Sequence, residues 1–196
     1  MHGLVNRSIQ SFVSDTYGGG LWASVASECG VSLDGFEAML HYDDQVTHDL
    51  LDAIGARLDK GRDMLLEDLG TYLVSNHNLE ALRRLLRFGG VTFLDFLHSL
   101  EELNGRASLA LPDLDMPQLS LLETGPSTFR LTCRWGFPGA GALMSGILRG
   151  MADDYGALVL LEGGVPDADG TCVLKIELLD SRFSEGRQFD LAVPTG

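Results

Sequence analysis

With 196 residues, 45% of them hydrophobic, the chain is long enough to bury one sizeable core. Its net charge of −14 argues against a nucleic-acid partner and against an anionic membrane face, since phosphate would be repelled. Three widely spaced cysteines (Cys29, Cys133, Cys172) form no disulfide framework or CxxC zinc spacing, no signal-peptide core opens the chain and no stretch approaches a membrane span, so a cytoplasmic protein is expected.

Leu4, Val5, Ile9, Phe12 and Val13 follow a helical period that stops at Tyr17 and the triplet Gly18 to Gly20. A short helix is expected from about Leu21 to Cys29, and Phe36 to Leu40 begin another short apolar piece. Asp43 and Asp44 then open a helix carrying Leu50, Leu51, Ile54 and Leu58, where the helix dipole stabilises acidic side chains. From Asp63 the next helix places Leu65, Leu69, Leu73 and His77 on one face at i, i+4 spacing. Leu79, Leu82, Leu85 and Leu86 define a further amphipathic helix, with Arg83, Arg84 and Arg87 expected on its wet side.

Thr92 to Gly105 (TFLDFLHSLEELNG) reads as one amphipathic helix with both ends marked. Thr92 and Asp95 have the spacing of a capping box, and Asn104-Gly105 reads as a helix stop. Phe93, Phe96, Leu97, Leu100, Leu103 and Asn104 fall on one stripe, so a polar amide closes an otherwise apolar face. Pro112 and Pro117 then mark an extended crossing segment. Gln118–Glu123, Thr128–Trp135, Ala157–Glu162 and Cys172–Leu179 read as strands, with a helix at Pro138–Asp154 and a tail that extends or frays from the last strand. Alternation along FRLTCRW sends Phe129, Leu131, Cys133 and Trp135 one way and Arg130, Thr132 and Arg134 the other. Two arginines and a hydroxyl on one face could clamp carboxylates or phosphates, or could simply be solvated. The expected fold class is α+β: a helical N-terminal part followed by a small antiparallel four-stranded sheet with packed helices.

Catalytic patterns such as GxSxG, HExxH or a phosphate loop are absent, so the chain does not read as an enzyme. Apolar helices leading into a sheet with a cationic face suit a binding or sensing module for a ligand with an apolar body and anionic arms.

MHGLVNRSIQSFV, YDDQVTHDLL, LGTYLV, FLHSLEELNGRASLALPDLDMPQL and RLTCRWGF resemble, in order, successive motifs of the H-NOX (haem nitric oxide/oxygen binding, HNOB) family. The resemblance implies a single domain, with a helical distal part at about 1–60, a proximal part with the sheet at about 61–180 and a tail at about 181–196. It further implies a haem lined by Val5 and Leu73, pressed by Pro117, held at its propionates by a strand clamp and at its iron by a histidine on the proximal helix. In this chain Asn104 stands where that histidine belongs, Arg130 and Thr132 replace the clamp's tyrosine and serine, and only Arg134 is kept. A neutral amide lacks the imidazole nitrogen that haem iron takes. Among the other histidines, His77 is the metal-ligand candidate; His98 is about 120° away from Asn104 around the helix, and His2 is a weaker option. The expectation is a stand-alone, bacterial-type sensor of nitric oxide or another diatomic gas with altered haem ligation. The alternative is a haem-free interaction module of the same fold, or one binding another amphipathic ligand. By the same resemblance, the partner would be a histidine kinase or a cyclic-dinucleotide enzyme.

Overall fold

The computed structural model describes residues 1–164, 166–167 and 169–189. It divides into two compact units, Met1–Leu69 and Gly70–Gly196, with the division falling inside one helix.

The first unit is helical. Its elements are α1 (Gly3–Tyr17), α2 (Gly19–Glu28), α3 (Asp44–Leu58) and the first half of α4 (Arg62–Ser75). Ile9, Phe12 and Val13 of α1 and Leu50, Leu51 and Ile54 of α3 are buried, as their 3–4 spacing requires. Asp43 caps α3 by accepting from the Gln45 amide at 2.9 Å. His2 caps α1 in the same manner, its Nδ1 accepting from the Leu4 amide at 3.2 Å. Phe36–Leu40 form turns rather than a helix; the Phe36 ring is buried edge-on to Trp22 and Tyr42. Gly3 permits a close backbone approach in this unit, since a Cβ there would lie 2.0 Å from the Glu37 carbonyl oxygen.

The second unit is α+β. The rest of α4 leads through a 3₁₀ turn (His77–Leu79) into α5 (Glu80–Arg87), then α6 (Phe93–Ser99), a 3₁₀ turn (Leu100–Glu102) and α7 (Leu103–Ala110). Strands β1 (Gln118–Gly125) and β2 (Thr128–Arg134), helix α8 (Ala140–Tyr155), and strands β3 (Leu158–Gly163) and β4 (Thr171–Asp180) follow. All strand pairs are antiparallel, in the order β1-β2-β4-β3. One sheet face packs against helices: Phe129, Leu131, Cys133, Cys172, Leu174 and Ile176 share a buried cluster with Phe96, Leu100, Leu103, Met144 and Leu148. Helix α8 meets the second half of α4 through small residues. Thr71 Oγ1 donates to the Gly146 carbonyl at 3.3 Å, and a Cβ on Gly70 would sit 2.2 Å from the Leu143 carbonyl oxygen.

Two expectations change here. The arginines of α5 are not wet: Arg83 and Arg87 are 13% and 11% exposed and pair with Asp154, itself 1% exposed, at 2.9 and 3.3 Å. Over its described residues, the tail does not extend from β4. Residues 181–189 turn back, with the Arg187 amide donating to the Asp154 carbonyl at 2.9 Å and Arg83 donating to the Gln188 carbonyl at 3.2 Å. Residues 190–196 lie outside the described part.

Candidate functional site

The capping box that opens α6 forms as its spacing requires. The Thr92 hydroxyl accepts from the Asp95 amide at 3.1 Å, and the Asp95 carboxylate accepts from the Thr92 amide at 3.0 Å. Those bonds with Thr92 hold the Asp95 carboxyl below its usual range. Phe93, Phe96, Leu97, Leu100 and Leu103 are all buried. The helix does not run unbroken to Gly105, however, and it does not stop there. It tightens into the 3₁₀ turn and resumes as α7, which carries Asn104 and Gly105 in its first turn and reaches Ala110. Leu103 and Ala107, both buried at i and i+4, hold this continuation against the core, so packing overrides the Asn-Gly stop signal.

Asn104 is half-buried, and its two oxygens face one local donor. The Ser108 hydroxyl lies 2.8 Å from the Asn104 carbonyl and 3.2 Å from its side-chain oxygen, one helical turn on. The single Ser108 proton is thus shared between the Asn104 backbone carbonyl, the nearer acceptor, and its side-chain oxygen. No imidazole shares its face. His98 is exposed at the edge of the packed layer, its Nε2 3.3 Å from Glu123 and its ring edge-on to Phe129 at 6.3 Å, so it is committed to the sheet rather than to the Asn104 position. His77 does not continue the α4 stripe, because α4 ends at Ser75 and the Asn76 side chain caps a new turn by accepting from Asn78 at 2.7 Å. His77 is exposed within that turn. In the first unit, His2 is buried as a helix cap with its ring against His41. Among the described residues no group of three or more His, Cys, Asp or Glu is placed to hold a metal ion.

Strand β2 shows the expected alternation. Arg130 and Arg134 are exposed and Thr132 half-buried on the face away from the helices, where Arg130 stands opposite Lys175 and Arg134 donates to the Thr171 hydroxyl at 3.2 Å. The helix-facing side of the same strand is Phe129, Leu131 and Cys133. Cys133 lies directly opposite Cys172 in the register, and burial, then its neighbour Cys172, pushes its thiol up to about 11, so it is protonated at neutral pH. Pro117 is buried directly ahead of β1, Leu73 is half-buried on α4 and Val5 half-buried on α1 of the first unit.

The family model for Haem-NO-binding domains (HNOB) matches residues 2–162. The chain belongs to the H-NOX family. Solved H-NOX structures share its fold: an H-NOX protein from S. oneidensis in the Fe(II) ligation state superposes with a TM-score of 0.78 at 15% identity, covering 93% of this chain and 98% of that one. An oxygen-binding H-NOX domain related to soluble guanylate cyclases gives 0.73 at 13% identity, covering 96% and 100%. Soluble guanylate cyclase 89Db of Drosophila melanogaster is 21% identical over 155 residues, 79% of this chain but 23% of that protein. The cyclase gcy-31 of Caenorhabditis elegans is 26% identical over 117 residues, 60% of this chain and 17% of that protein. The chain therefore spans about a fifth of the length of the curated relatives it matches.

Haem is the group this H-NOX family implies, and the donor set of the second unit does not fit it. Asn104 offers a neutral amide in place of an imidazole nitrogen, the helix-facing side of β2 offers apolar groups and a protonated thiol, and the two arginines stand on the opposite sheet face.

Proposed function

We propose that this chain is an H-NOX sensory or interaction domain whose signal does not pass through a histidine–iron bond, and that it acts as a haem-independent module. The observation that carries this reading is the setting of Asn104. Its side-chain oxygen lies within hydrogen-bonding distance of Ser108, and no described histidine shares the buried stripe of α6 and α7. The exposure of Arg130 and Arg134 supports it, since it leaves the helix-facing side of β2 without a cation for a propionate. Family membership supports a regulatory role in the cytoplasm upstream of a histidine kinase or a cyclic-dinucleotide enzyme, with the chain itself not catalytic. No described helix is long and apolar enough to cross a membrane.

The test is an absorption spectrum of the purified protein before and after hemin addition. The expected result is no sharp Soret band in either sample and no change on adding carbon monoxide. A sharp band that shifts with carbon monoxide would overturn the reading in favour of haem bound with altered ligation. The variant Asn104→His separates two grounds for haem loss: a five-coordinate ferrous spectrum in that variant places the defect at the missing imidazole alone, whereas its absence places it also in the surrounding side chains.

A further inference from the structure

We infer that Phe88, Val91 and Leu109, grouped around Arg84 and Arg106, form a docking surface for an acidic amphipathic helix of a partner protein. Phe88 is 65%, Val91 89% and Leu109 88% exposed, the most open large apolar side chains of the second unit's helices and their connections. The Arg106 guanidinium lies over the Phe88 ring at 5.9 Å, which joins α7 to the α5–α6 connection, and Leu109 follows Arg106 by one turn.

The charge of this surface decides its partner. Arg84 and Arg106 are each half-buried with an Nε that has no partner, and neither pairs with a carboxylate among the described residues. Asp154 is committed to Arg83 and Arg87, Asp95 to the capping box and Glu101 to the Leu121 amide at 2.9 Å, while the exposed Glu102, one turn before Arg106, forms no ion pair with it. On a chain of net charge −14, this is a place where two uncompensated guanidiniums flank exposed apolar side chains. An acidic partner repelled by the rest of the molecule is attracted here, and apolar anchors beside its carboxylates meet Phe88 and Val91.

The surface is also held in place. A Cβ on Gly89 would lie 1.9 Å from the Ser99 hydroxyl, and the Tyr155 hydroxyl donates to the Gly90 carbonyl at 3.0 Å, so the loop presenting Phe88 and Val91 is fixed before any partner arrives. This inference goes beyond the proposed function and does not depend on whether haem binds.

The experiment uses the full chain and a fluorescein-labelled helical peptide with a leucine stripe flanked by glutamates, read by anisotropy, beside a control peptide with lysines for glutamates. The glutamate peptide is expected to bind and the lysine peptide not. Arg106→Glu and Phe88→Ala are each expected to weaken binding about tenfold or more, as loss of a charge pair or an aromatic anchor does. Arg84→Glu provides a second charge reversal, and thermal unfolding of each variant confirms that it is folded. Equal binding of both peptides, no binding, or unchanged binding by the folded variants overturns the inference. So does a chain that dimerises through this face, or binds phosphatidylserine vesicles, in a manner the same variants abolish.

Discussion

A buried carboxylate between two guanidiniums is stable only as a set. Asp154 is 1% exposed, and Arg83 and Arg87, one turn apart on α5, neutralise it at 2.9 and 3.3 Å. Arg87 also stacks its guanidinium over the Tyr155 ring at 3.9 Å. Replacing Asp154 by asparagine removes the carboxylate the two largely buried cations share, leaving Arg83 only the exposed Glu80 at 3.6 Å, so Asp154→Asn is expected to lower unfolding stability by roughly 3–5 kcal/mol in denaturant titration. A loss below about 1 kcal/mol would mean that water already screens the arginines. Nothing in the local sequence announces this set. Arg83 and Arg87 share the α5 sequence with charged neighbours and read as a wet face, while their partner lies 71 residues along the chain from Arg83. The sequence comparison did single out Asn104, because its oddity is local: a polar side chain at the end of an apolar stripe.

At the scale of elements, short-range chemistry was readable and long-range packing was not. The Thr92–Asp95 box could be found from its three-residue spacing, and it forms. Thr92→Ala is expected to cost about 1 kcal/mol in thermal or denaturant unfolding. The same pair sets a pH dependence. Because the folded Asp95 carboxyl is held below its ordinary value, its contribution is present above the unfolded value of about 3.9 and is lost as pH falls through the lower folded one. The gap in stability between wild type and Thr92→Ala is therefore expected to be constant near neutrality and to narrow only in acid; a gap that instead widened below that value would contradict the assignment. The end of the same helix was misread, since Asn-Gly is a good local stop and only the burial of Leu103 and Ala107 carries the chain on to Ala110. His77 was misplaced for the complementary reason, the Asn76 side chain ending a stripe that apolar spacing alone would prolong. Gly70 marks the packing of α4 on α8: with the Leu143 carbonyl oxygen 2.2 Å from its missing Cβ, Gly70→Ala is expected to cost about 1–3 kcal/mol or more despite alanine's better helix propensity, and a neutral or stabilising result in chemical denaturation would show that the two helices can separate freely.

For the molecule as a whole, the α+β class and strand succession followed from alternation and turn residues, and the four-stranded antiparallel sheet is formed as expected. The face-by-face assignment of β2 followed too, because period-two alternation leaves no choice once one face is apolar. Which face would meet the helices decides the meaning of Arg130 and Arg134, and it places them away from the buried cluster. The path of residues 181–189 was the largest unread feature, since its anchors are backbone carbonyls and two arginines fixed by another helix. That path has a consequence for how the domain is made. Arg83, Arg87, Asp154 and Gly156 all leave the ribosome before Ser184, whose amide donates to the Gly156 carbonyl at 3.1 Å, and before Arg187 and Gln188, which lie across them. The clamp therefore cannot be covered until residues 184–188 have been made, so the guanidiniums of Arg83 and Arg87 stay open to competing acceptors for as long as synthesis takes to travel from Asp154 to Gln188.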